Sequence, residues 1–321
     1  MSGIQPSGVL HLGNYFGAVE PWLRLQTETT APIYIMIADL HALTSRAKRE
    51  SWGGSRRREV LDLTASLLAC GLQPERVVLF QQSRVVQHLQ LAWLCNAFCS
   101  VQKLARLTQY KDKAKALGDT AGTPVGLLIY PVLQAADILL YKATHVPVVR
   151  DVARAANALL ASDLFPMPEA VTSGVGRLRS LRSASAKMSK SDADSNSCLF
   201  LTDSPDAVGL KLRKALTDCV GRVEFHPEQR PAVANLVQLH ALVSGQSTHQ
   251  LVKEAAGLQT AQYKGVVAEA VIERFEQERQ RYAELRGDED YLERVLAEGS
   301  ALARQTAAIT MAEIDGLLDR V

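Results

Sequence analysis

The sequence predicts an α/β fold in which a domain with a parallel β-sheet is followed by an all-helical domain. In the first half of the chain, short apolar runs alternate with segments of helical spacing, which is the pattern of a parallel sheet with crossover helices. After Leu199 every further segment has the spacing of an amphipathic helix. A chain of 321 residues is long enough for two such domains.

Strands are predicted from short runs rich in β-branched residues. Residues 33–38 form a continuous apolar run, as expected of a central strand that is buried on both faces. Residues 77–80 predict the next strand and residues 145–149 a further one, whose proline indicates an edge or an end. The chain starts almost on a motif at residues 2–5, which leaves little room for an earlier strand, so we expect a processed or truncated start.

Helices are predicted where apolar residues recur at intervals of three and four. In the first half they cover residues 60–70, with Gly71 as the C-cap, and residues 86–104. The apolar stretch 125–141 contains Asp137 and falls short of the roughly 18–20 apolar residues that span a membrane, so it predicts a buried helix and no membrane partner. In the second half the predicted helices are 204–217, 231–244, 247–256, 260–286 and 289–320.

The composition, with 47% hydrophobic and 22% charged residues, is that of an ordinary globular protein. A net charge of +2 excludes a strong attraction of the whole molecule to nucleic acid, so RNA binding requires local basic faces. The five cysteines contain no Cys-x-x-Cys pair and no histidine cluster, which favours buried free thiols in a reducing compartment and no metal centre. The N-terminus has neither a signal peptide nor an arginine-rich transit segment.

Polar side chains follow the predicted strands. Ligands of open parallel sheets bind outside the carboxyl ends of the strands. Six candidate site residues occupy such positions: Asp39, His41, Gln81, Gln82, Arg150 and Asp151. For His41, a place in a pocket and a place in the core at the end of a strand both remain open.

A glycine-rich loop at residues 3–8 leads into a predicted helix start at residues 9–15. Free backbone N–H groups and the positive end of a helix favour an anion at such a place. Gly13 allows a nucleotide to approach the backbone closely, and His11 and Asn14 add side-chain donors. A surface turn with one histidine accounts for the same residues, so this loop alone does not establish phosphate binding.

A second motif, Lys-Met-Ser-Lys-Ser at residues 187–191, lies in a stretch rich in Ser, Gly, Lys and Arg at residues 174–196. This stretch has no apolar period, which predicts a mobile loop or a linker. Two ammonium groups and two hydroxyls on such a loop can close over a polyphosphate and neutralise the charge of a leaving group. The alternative is a solvated basic linker.

Asp137 is a lone carboxylate in a strongly apolar helix, and its unpaired burial would cost several kcal/mol. Its partner is either another core side chain or a donor that a ligand supplies. Lys111 and Lys113, predicted on a polar turn, either reach a pyrophosphate or are solvated. The basic run at residues 46–58 contacts RNA or forms a solvated face.

The His-Leu-Gly-Asn run at residues 11–14 is similar to the HIGH signature of class I aminoacyl-tRNA synthetases, and residues 187–191 match their KMSKS signature without change. Within that class, residues 3–8, 38–42 and 127–141 resemble the tryptophanyl-tRNA synthetases of the bacterial and mitochondrial type. The resemblance extends over nearly the whole chain. It implies a Rossmann-like catalytic domain with a parallel sheet, and a homodimer.

The resemblance also implies a two-step reaction, in which L-tryptophan attacks the α-phosphate of ATP and the adenylate then passes its aminoacyl group to tRNA(Trp). ATP would enter as a substrate with Mg²⁺ and would need no metal ligands from the protein. The implied catalytic residues are Lys187, Lys190, His11 and Asn14. Those implied for ATP binding are Gln5, His11, Leu12, Gly13, Asn14, Asp151, Leu178, Lys187, Met188, Ser189, Lys190 and Ser191. Those implied for tryptophan are Asp137, Tyr130, Gln5 and His41.

Four regions follow from the same resemblance. They are a catalytic domain at 1–183, the KMSKS loop at 184–196, a helical anticodon-binding domain at 197–288, and C-terminal helices at 289–321 that pack back on the catalytic domain. The implied location is the mitochondrial matrix, and the bacterial cytoplasm is the alternative.

One segment departs from the family pattern. Members carry Gly-Glu-Asp-Gln after a Val-Pro-Val strand, whereas residues 149–152 are Val-Arg-Asp-Val. Val149 cannot supply the close approach that glycine allows, and Arg150 reverses the charge of the expected glutamate. The alternative function is therefore a catalytically impaired paralogue or variant that binds nucleotide or tRNA without efficient turnover.

Overall fold

The structure is a computed structural model that describes residues 1–45, 55–116, 123–144, 157, 162–166, 178–190, 192 and 194–319. Within these ranges the chain forms a parallel sheet with surrounding helices, followed by an all-helical part, which confirms the predicted α/β class. The predicted strand at residues 145–149 and the departing segment at residues 149–152 lie outside the described residues, as do Asp151 and Ser191.

The described sheet has three parallel strands in the spatial order β1 (Ser2–Ile4), β2 (Ile33–Ile37) and β3 (Val77–Gln81). Their register places Ile4, Ile37 and Gln81 side by side. The three carboxyl ends therefore share one edge of the sheet, where ligands bind in folds of this kind.

The presence of β1 corrects the expectation that too few residues precede the first motif to build a strand. Three residues suffice because the strand lies beside β2, which satisfies its backbone groups along the ladder. The N–H of Ala38 extends this pairing by donating to the carbonyl of Ile4 at 2.9 Å. As a result, the glycine-rich loop begins directly at the carboxyl end of β1.

The helices around the sheet are α1 (Leu12–Asn14), α2 (Glu20–Glu28), α3 (Asp39–Ser45), α4 (Ser55–Ala69), α5 (Gln87–Asn96), α6 (Val101–Ala105), α7 (Thr108–Ala116) and α8 (Val125–Leu139). A π-helical turn at Tyr15–Val19 joins α1 to α2. α8 is buried along most of its length, as predicted. After α4, Gly71 adopts a positive φ of 102°, which confirms its predicted role at the end of that helix.

The helical part consists of α9 (Pro205–Arg213), α10 (Pro231–Ser244), α11 (Thr248–Glu254), α12 (Thr260–Arg274), α13 (Glu276–Gly287) and α14 (Glu289–Leu318). Proline begins α9 and α10, as the sequence predicted, because its missing N–H costs nothing in the first turn. Within the described ranges, no helix combines the length and the apolar character that crossing a membrane requires.

Two helices that the sequence predicts as long and continuous are each divided into two shorter helices in the structure. Residues 86–104 divide into α5 and α6 because Ser100 caps the second helix, its hydroxyl accepting the N–H of Lys103 at 3.2 Å. Residues 260–286 divide into α12 and α13 at Phe275, whose side chain is buried and whose φ and ψ of −110° and 17° leave the helical region. In both cases tertiary packing or a cap overrides a continuous apolar spacing.

The last helix, α14, returns to the sheet and packs against β3. At Gly299 the two backbones are so close that a Cβ atom would lie 1.9 Å from the carbonyl oxygen of Leu79. Arg57 of α4 pairs with Glu289 and Glu293 of this helix at 2.7 and 3.0 Å. The end of the chain therefore covers one face of the part that contains the sheet.

The prediction that the cysteines are buried free thiols is confirmed for some of them and wrong for one. Cys70, Cys95 and Cys198 are free and buried, and Cys99 is half-buried. The prediction of burial is wrong for Cys219, which is exposed because it lies in the connection between α9 and α10.

Candidate active site

His11 lies where the glycine-rich loop meets α1. It caps the helix, because its Nδ1 accepts the N–H of Asn14 at 3.1 Å. Burial, assisted by the charges of Lys190 and Lys187, lowers the pKa of His11 to about 4, so the ring is neutral at neutral pH. A neutral ring whose Nδ1 accepts carries its hydrogen on Nε2, which leaves a hydrogen-bond donor on the other side of the ring.

The neighbours of His11 in the signature have different environments. A Cβ atom at Gly13 would lie 3.0 Å from two atoms of the His11 ring and 3.6 Å from the Cβ of Met188, so a side chain at this position would crowd the His11 ring. The approach of a nucleotide to the Gly13 backbone stays a prediction. Leu12 is a core residue, 1% exposed, and its N–H donates to the carbonyl of Leu199 at 2.9 Å. The role of Leu12 in ATP binding stays a prediction.

The KMSKS segment begins in a short antiparallel hairpin. The N–H of Met188 donates to the carbonyl of Leu178 at 3.1 Å, and both side chains are buried. Asn235 of α10 anchors this hairpin to the helical part, since its amide accepts from the N–H and donates to the carbonyl of Arg179 at 2.9 and 3.1 Å. The side chains of Leu178 and Met188 belong to the core, and one backbone group of each is used in the hairpin, so their predicted role in ATP binding stays a prediction.

Lys190 lies across the glycine-rich loop. Its Nζ donates to the carbonyl of Gly8 at 3.1 Å and lies 3.5 Å from that of Ser7. Burial lowers the pKa of Lys190 to about 8. The two sequence motifs, which are about 180 residues apart, are thus in direct contact.

Lys187 and Ser189 complete the described part of the motif. The side chain of Lys187 is exposed and lines a cavity of about 680 Å³ between the hairpin and α10. Its charge lowers the pKa of His11 and of Lys113, so its field reaches both. The carbonyl of Ser189 accepts the thiol of Cys198 at 2.9 Å.

A pH dependence follows from the buried ammonium group. If ATP binds here, as the resemblance implies, kcat/KM for ATP should fall as the pH rises through about 8, because Lys190 is a cation below this pH and neutral above it. Arginine at this position stays charged, so Lys190→Arg should move the fall to higher pH. Initial rates of ATP–pyrophosphate exchange across this range provide the measurement, and identical profiles in the two proteins would contradict the assignment.

Asp137 of α8 is almost wholly buried, and both of its carboxylate oxygens accept hydrogen bonds. Oδ1 accepts from Nε2 of Gln82 at 2.8 Å and from Nδ1 of His88 at 2.6 Å. Oδ2 accepts from Nε2 of His41 at 2.7 Å. Burial alone would raise the pKa of this carboxyl, but the hydrogen bonds from His41 and His88 outweigh it and hold the pKa below its ordinary value. Asp137 is therefore an ionised acceptor.

A cavity of about 280 Å³ opens beside Asp137 at the shared edge of the strands. The four residues that the resemblance implied for tryptophan, namely Gln5, His41, Tyr130 and Asp137, all line it. Apolar side chains of β2 and α8 complete the wall, among them Met36 and Ile138. The arrangement of one buried anion in a mainly apolar slot is typical of a small-molecule site.

Lys113 also lines this cavity, and the prediction of a polar turn for Lys111 and Lys113 is wrong, because both lie on α7. The helix has few apolar residues, which hid its period, but its lysines and alanines are good helix formers. Nζ of Lys113 lies 4.0 Å from the centroid of the Tyr130 ring, which is a cation–π contact. Lys113 therefore places a cation in the wall of this cavity.

The family model described as tRNA synthetases class I (W and Y) matches residues 1–276. The chain belongs to this family. It is 37% identical over 325 residues to the tryptophan–tRNA ligase of Rickettsia conorii, covering 98% of this chain and 96% of that protein. It is 38% identical over 328 residues to the mitochondrial tryptophan–tRNA ligase of Caenorhabditis elegans, with 98% and 89% covered.

A solved structure gives the same family. The tryptophanyl-tRNA synthetase of Campylobacter jejuni, complexed with ADP and tryptophan, is 30% identical to this chain with a TM-score of 0.80, covering 99% of this chain and 98% of that one. These comparisons confirm the predicted resemblance and the Rossmann-like class of the catalytic domain.

In this synthetase the polar residues at the strand ends form two networks. Gln82 and His41 belong to that of Asp137. Asp39 forms the other, since its carboxylate accepts from Nε2 of Gln81 at 2.8 Å and from the N–H and the hydroxyl of Ser83 at 2.9 and 2.6 Å. A guanidinium nitrogen of Arg56 also lies 3.5 Å from Oδ2, so four polar groups contact a carboxylate that has about four acceptor positions. Asp39 therefore stabilises the strand ends instead of offering a free carboxylate.

Sequence reasoning missed Gln134 of α8, which lines the cavity, and His88, which contacts Asp137 without lining the cavity. His88 lies in the first turn of α5, a few residues after the polar end of β3, and it is 0% exposed. Its position soon after a strand end was an available signal. The apolar residues around it concealed this signal, because they predict a core helix.

Proposed function

We propose that this synthetase activates L-tryptophan with ATP and transfers it to tRNA(Trp). The observation that carries the proposal is the ionised, buried Asp137 in the wall of a mainly apolar cavity. The indole N–H is only a donor, so an anionic acceptor in such a cavity favours a ring that carries this donor. The names of the relatives in Rickettsia conorii and Caenorhabditis elegans support the same substrate.

In the first step an oxygen of the tryptophan carboxylate forms a bond to the α-phosphorus of ATP, and the bond from that phosphorus to the pyrophosphate oxygen breaks. No protein nucleophile is needed, so catalysis is positioning and charge stabilisation. His11 and Asn14 donate to phosphate and ribose from one side. Lys187 and Lys190 neutralise the leaving pyrophosphate from the other side.

The residues around the nucleotide fit a metal that enters with ATP. Mg²⁺ is usually bound through substrate phosphates and water with few protein carboxylates. The described residues of both motifs offer cations and N–H donors, and the carboxylate of Asp39 is already occupied. Mg²⁺ would therefore be held by the oxygens of the nucleotide. Gln5, Tyr130 and His41 would flank the amino acid.

In the second step the terminal ribose hydroxyl of the tRNA attacks the aminoacyl carbonyl, and AMP leaves. We assign the anticodon to residues 197–288, between the catalytic domain at 1–183 with its loop at 184–196 and the closing helices at 289–321. Support comes from α9 to α12, which pack on one another, and from the return of α14 to β3, while α13 packs on α4 through Arg286 and Asp62. Charging of tRNA(Trp) with altered anticodons tests this assignment.

Two assays test the activity. We expect ATP–pyrophosphate exchange to require tryptophan and to be at least about 100-fold weaker with tyrosine or phenylalanine, which lack the ring N–H. Charging of tRNA(Trp) should follow. Equal exchange with tyrosine would contradict the assignment of tryptophan as the substrate. No exchange with any amino acid would support the alternative of a catalytically impaired variant, which the sequence of residues 149–152 suggested. Full-length similarity to proteins named as ligases does not favour that alternative.

We propose a homodimer whose interface includes the exposed face of α5 and α6. Val86, Leu89, Trp93 and Val101 are large apolar residues there with 50 to 78% of their surface exposed. Exposed apolar patches of this kind mark interaction sites. α5 carries no Asp, Glu, Lys or Arg, so a second copy can face it without repulsion between like charges.

Trp93→Glu is expected to dissociate this dimer, because a carboxylate would meet its own copy or apolar side chains across the interface. The molar mass that light scattering gives after size exclusion should fall from twice the chain mass of 35.0 kDa to the mass of one chain. Ile309→Glu is the matched control, because Ile309 is 63% exposed on α14, outside this patch. A wild-type protein of single-chain mass would refute the proposal.

We also place this synthetase in the mitochondrial matrix. Both a bacterial and a mitochondrial relative cover nearly the whole chain, at 37% and 38% identity. Support for the mitochondrial location comes from the second of these and from the resemblance of residues 142–147 to animal mitochondrial enzymes. Immunodetection in purified mitochondria of the source cells tests the location, and a bacterial source would overturn it.

A further inference from the structure

His88 is a fully buried histidine whose two ring nitrogens both have partners. Nδ1 contacts Oδ1 of Asp137 at 2.6 Å, and Nε2 contacts the hydroxyl of Tyr141 at 2.9 Å. It does not line the amino acid cavity and has no part in the proposed chemistry. Because both nitrogens are satisfied, the burial of this ring carries no penalty from an unpaired polar atom, and its two contacts join Asp137 to Tyr141.

The hydrogen positions on this ring follow from its neighbours. The ionised carboxylate of Asp137 can only accept, so Nδ1 of His88 carries a hydrogen. Burial raises the pKa of Tyr141, so its hydroxyl keeps its proton and donates it to Nε2. His88 is therefore a donor aimed at the carboxylate, with its tautomer fixed by Tyr141.

The packing around His88 fixes the direction of that donor. Its ring stacks on Phe80 of β3, with centroids 5.8 Å apart and planes inclined by 24°. Tyr141 lies against Phe80 and Tyr34, at centroid distances of 5.5 and 4.6 Å. A side chain held on both sides in this way keeps its rotamer, and so it can hold the carboxylate in one orientation.

A count of acceptor positions gives the consequence for the ligand. A carboxylate offers about four lone-pair positions. Gln82, His88 and His41 occupy three of them, and one remains for a donor in the cavity. If the carboxylate could rotate, that free position would no longer be fixed relative to the cavity.

We propose that His88, supported by Tyr141, is a positioning residue that orients the Asp137 carboxylate so that the cavity selects an amino acid with a ring N–H. The inference rests on the proposed role of Asp137 in binding tryptophan. His88 does not touch the ligand. It acts only through the carboxylate, so its loss should alter the selection of the amino acid and leave the nucleotide site intact.

The test compares tryptophan with its analogue in which sulfur replaces the ring N–H, in ATP–pyrophosphate exchange with purified full-length protein. In His88→Leu we expect KM for tryptophan to rise roughly 10- to 100-fold while KM for ATP stays within about twofold. The preference for tryptophan over the sulfur analogue should fall at least about tenfold. His88→Asn, whose amide can take the place of the Nδ1 donor, should recover most of both values.

His240→Leu is the matched control. His240 is also a buried histidine with a tyrosine partner, its Nδ1 lying 3.0 Å from the hydroxyl of Tyr263, but it lies in the helical part. We expect its loss to lower the thermal midpoint without changing KM for tryptophan. If His88→Leu also lowers only the midpoint and leaves KM and the analogue preference at wild-type values, the inference is overturned.

Two further variants keep the test decisive. If His88→Leu does not fold, His88→Asn and Tyr141→Phe take its place, and Tyr141→Phe should raise KM for tryptophan about two- to tenfold. In that case a Tyr141→Phe protein in which both KM for tryptophan and the analogue preference keep their wild-type values overturns the proposal. Asp137→Asn distinguishes failure of the inference about His88 from failure of the proposed role of Asp137. An unchanged analogue preference in Asp137→Asn refutes the role of Asp137 itself.

Discussion

Asp137→Asn is expected to lower kcat/KM for tryptophan in ATP–pyrophosphate exchange about 1,000-fold, which corresponds to about 4 kcal/mol of transition-state binding. The amide has nearly the same shape as the carboxylate, but its NH₂ group confronts a donor where an oxygen stood. Either His41 or the pair of Gln82 and His88 then loses its acceptor. The cavity also loses the anion that an indole N–H would contact.

The measurement is a set of initial exchange rates in which tryptophan and ATP are varied separately. KM for ATP should change little, because the nucleotide contacts belong to the two motifs and not to α8. Asp218→Asn is the control. It changes a carboxylate in the helical part that accepts a comparable pair of hydrogen bonds, from Arg230 at 2.7 and 2.8 Å. An Asp137→Asn protein that keeps wild-type kcat/KM for tryptophan would show that this carboxylate serves only the core.

The special character of Asp137 was visible in the sequence because a single charge stands out in an apolar helix. Its partners were not, because they come from three other segments: α3, the end of β3 and the first turn of α5. Periodicity assigns residues to a face of an element, but the register between elements depends on packing. The sequence therefore left open whether the partner was a core side chain or a ligand, and the structure supplies the core partners while leaving one acceptor position for a ligand.

Prediction from the sequence was also limited by short elements and by elements with few apolar residues. β1 has three residues and α7 has few apolar ones, so neither carries enough period to be recognised. The contact between Lys190 and Gly8 was foreseeable only from the family, because nothing in the two loops encodes their proximity. By contrast, the strands with continuous apolar runs and the proline-started helices α9 and α10 were predictable, since each is specified by local residues.

Gly299 gave no signal in the sequence, yet its replacement is expected to have the largest effect on folding. In Gly299→Ala the new Cβ atom would lie 1.9 Å from the carbonyl oxygen of Leu79 and 2.7 Å from its carbonyl carbon. Both contacts are with the backbone of β3, so no side-chain rotation relieves them. α14 and the strand must separate, which costs about 3 kcal/mol or more. The apparent midpoint of thermal unfolding, followed by far-UV circular dichroism, should fall by several degrees.

The same helix provides the control. Gly316 of α14 has open space where a Cβ atom would stand, so Gly316→Ala adds a better helix former without a clash and should stabilise the protein by up to about 1 kcal/mol. Opposite shifts for two identical substitutions in one helix would isolate the approach to β3 as the cause. Because Ser300 also contacts Gln81 at the end of that strand, separation of α14 should weaken tryptophan binding in Gly299→Ala as well. Equal midpoints for the two variants would refute the close approach of helix and strand.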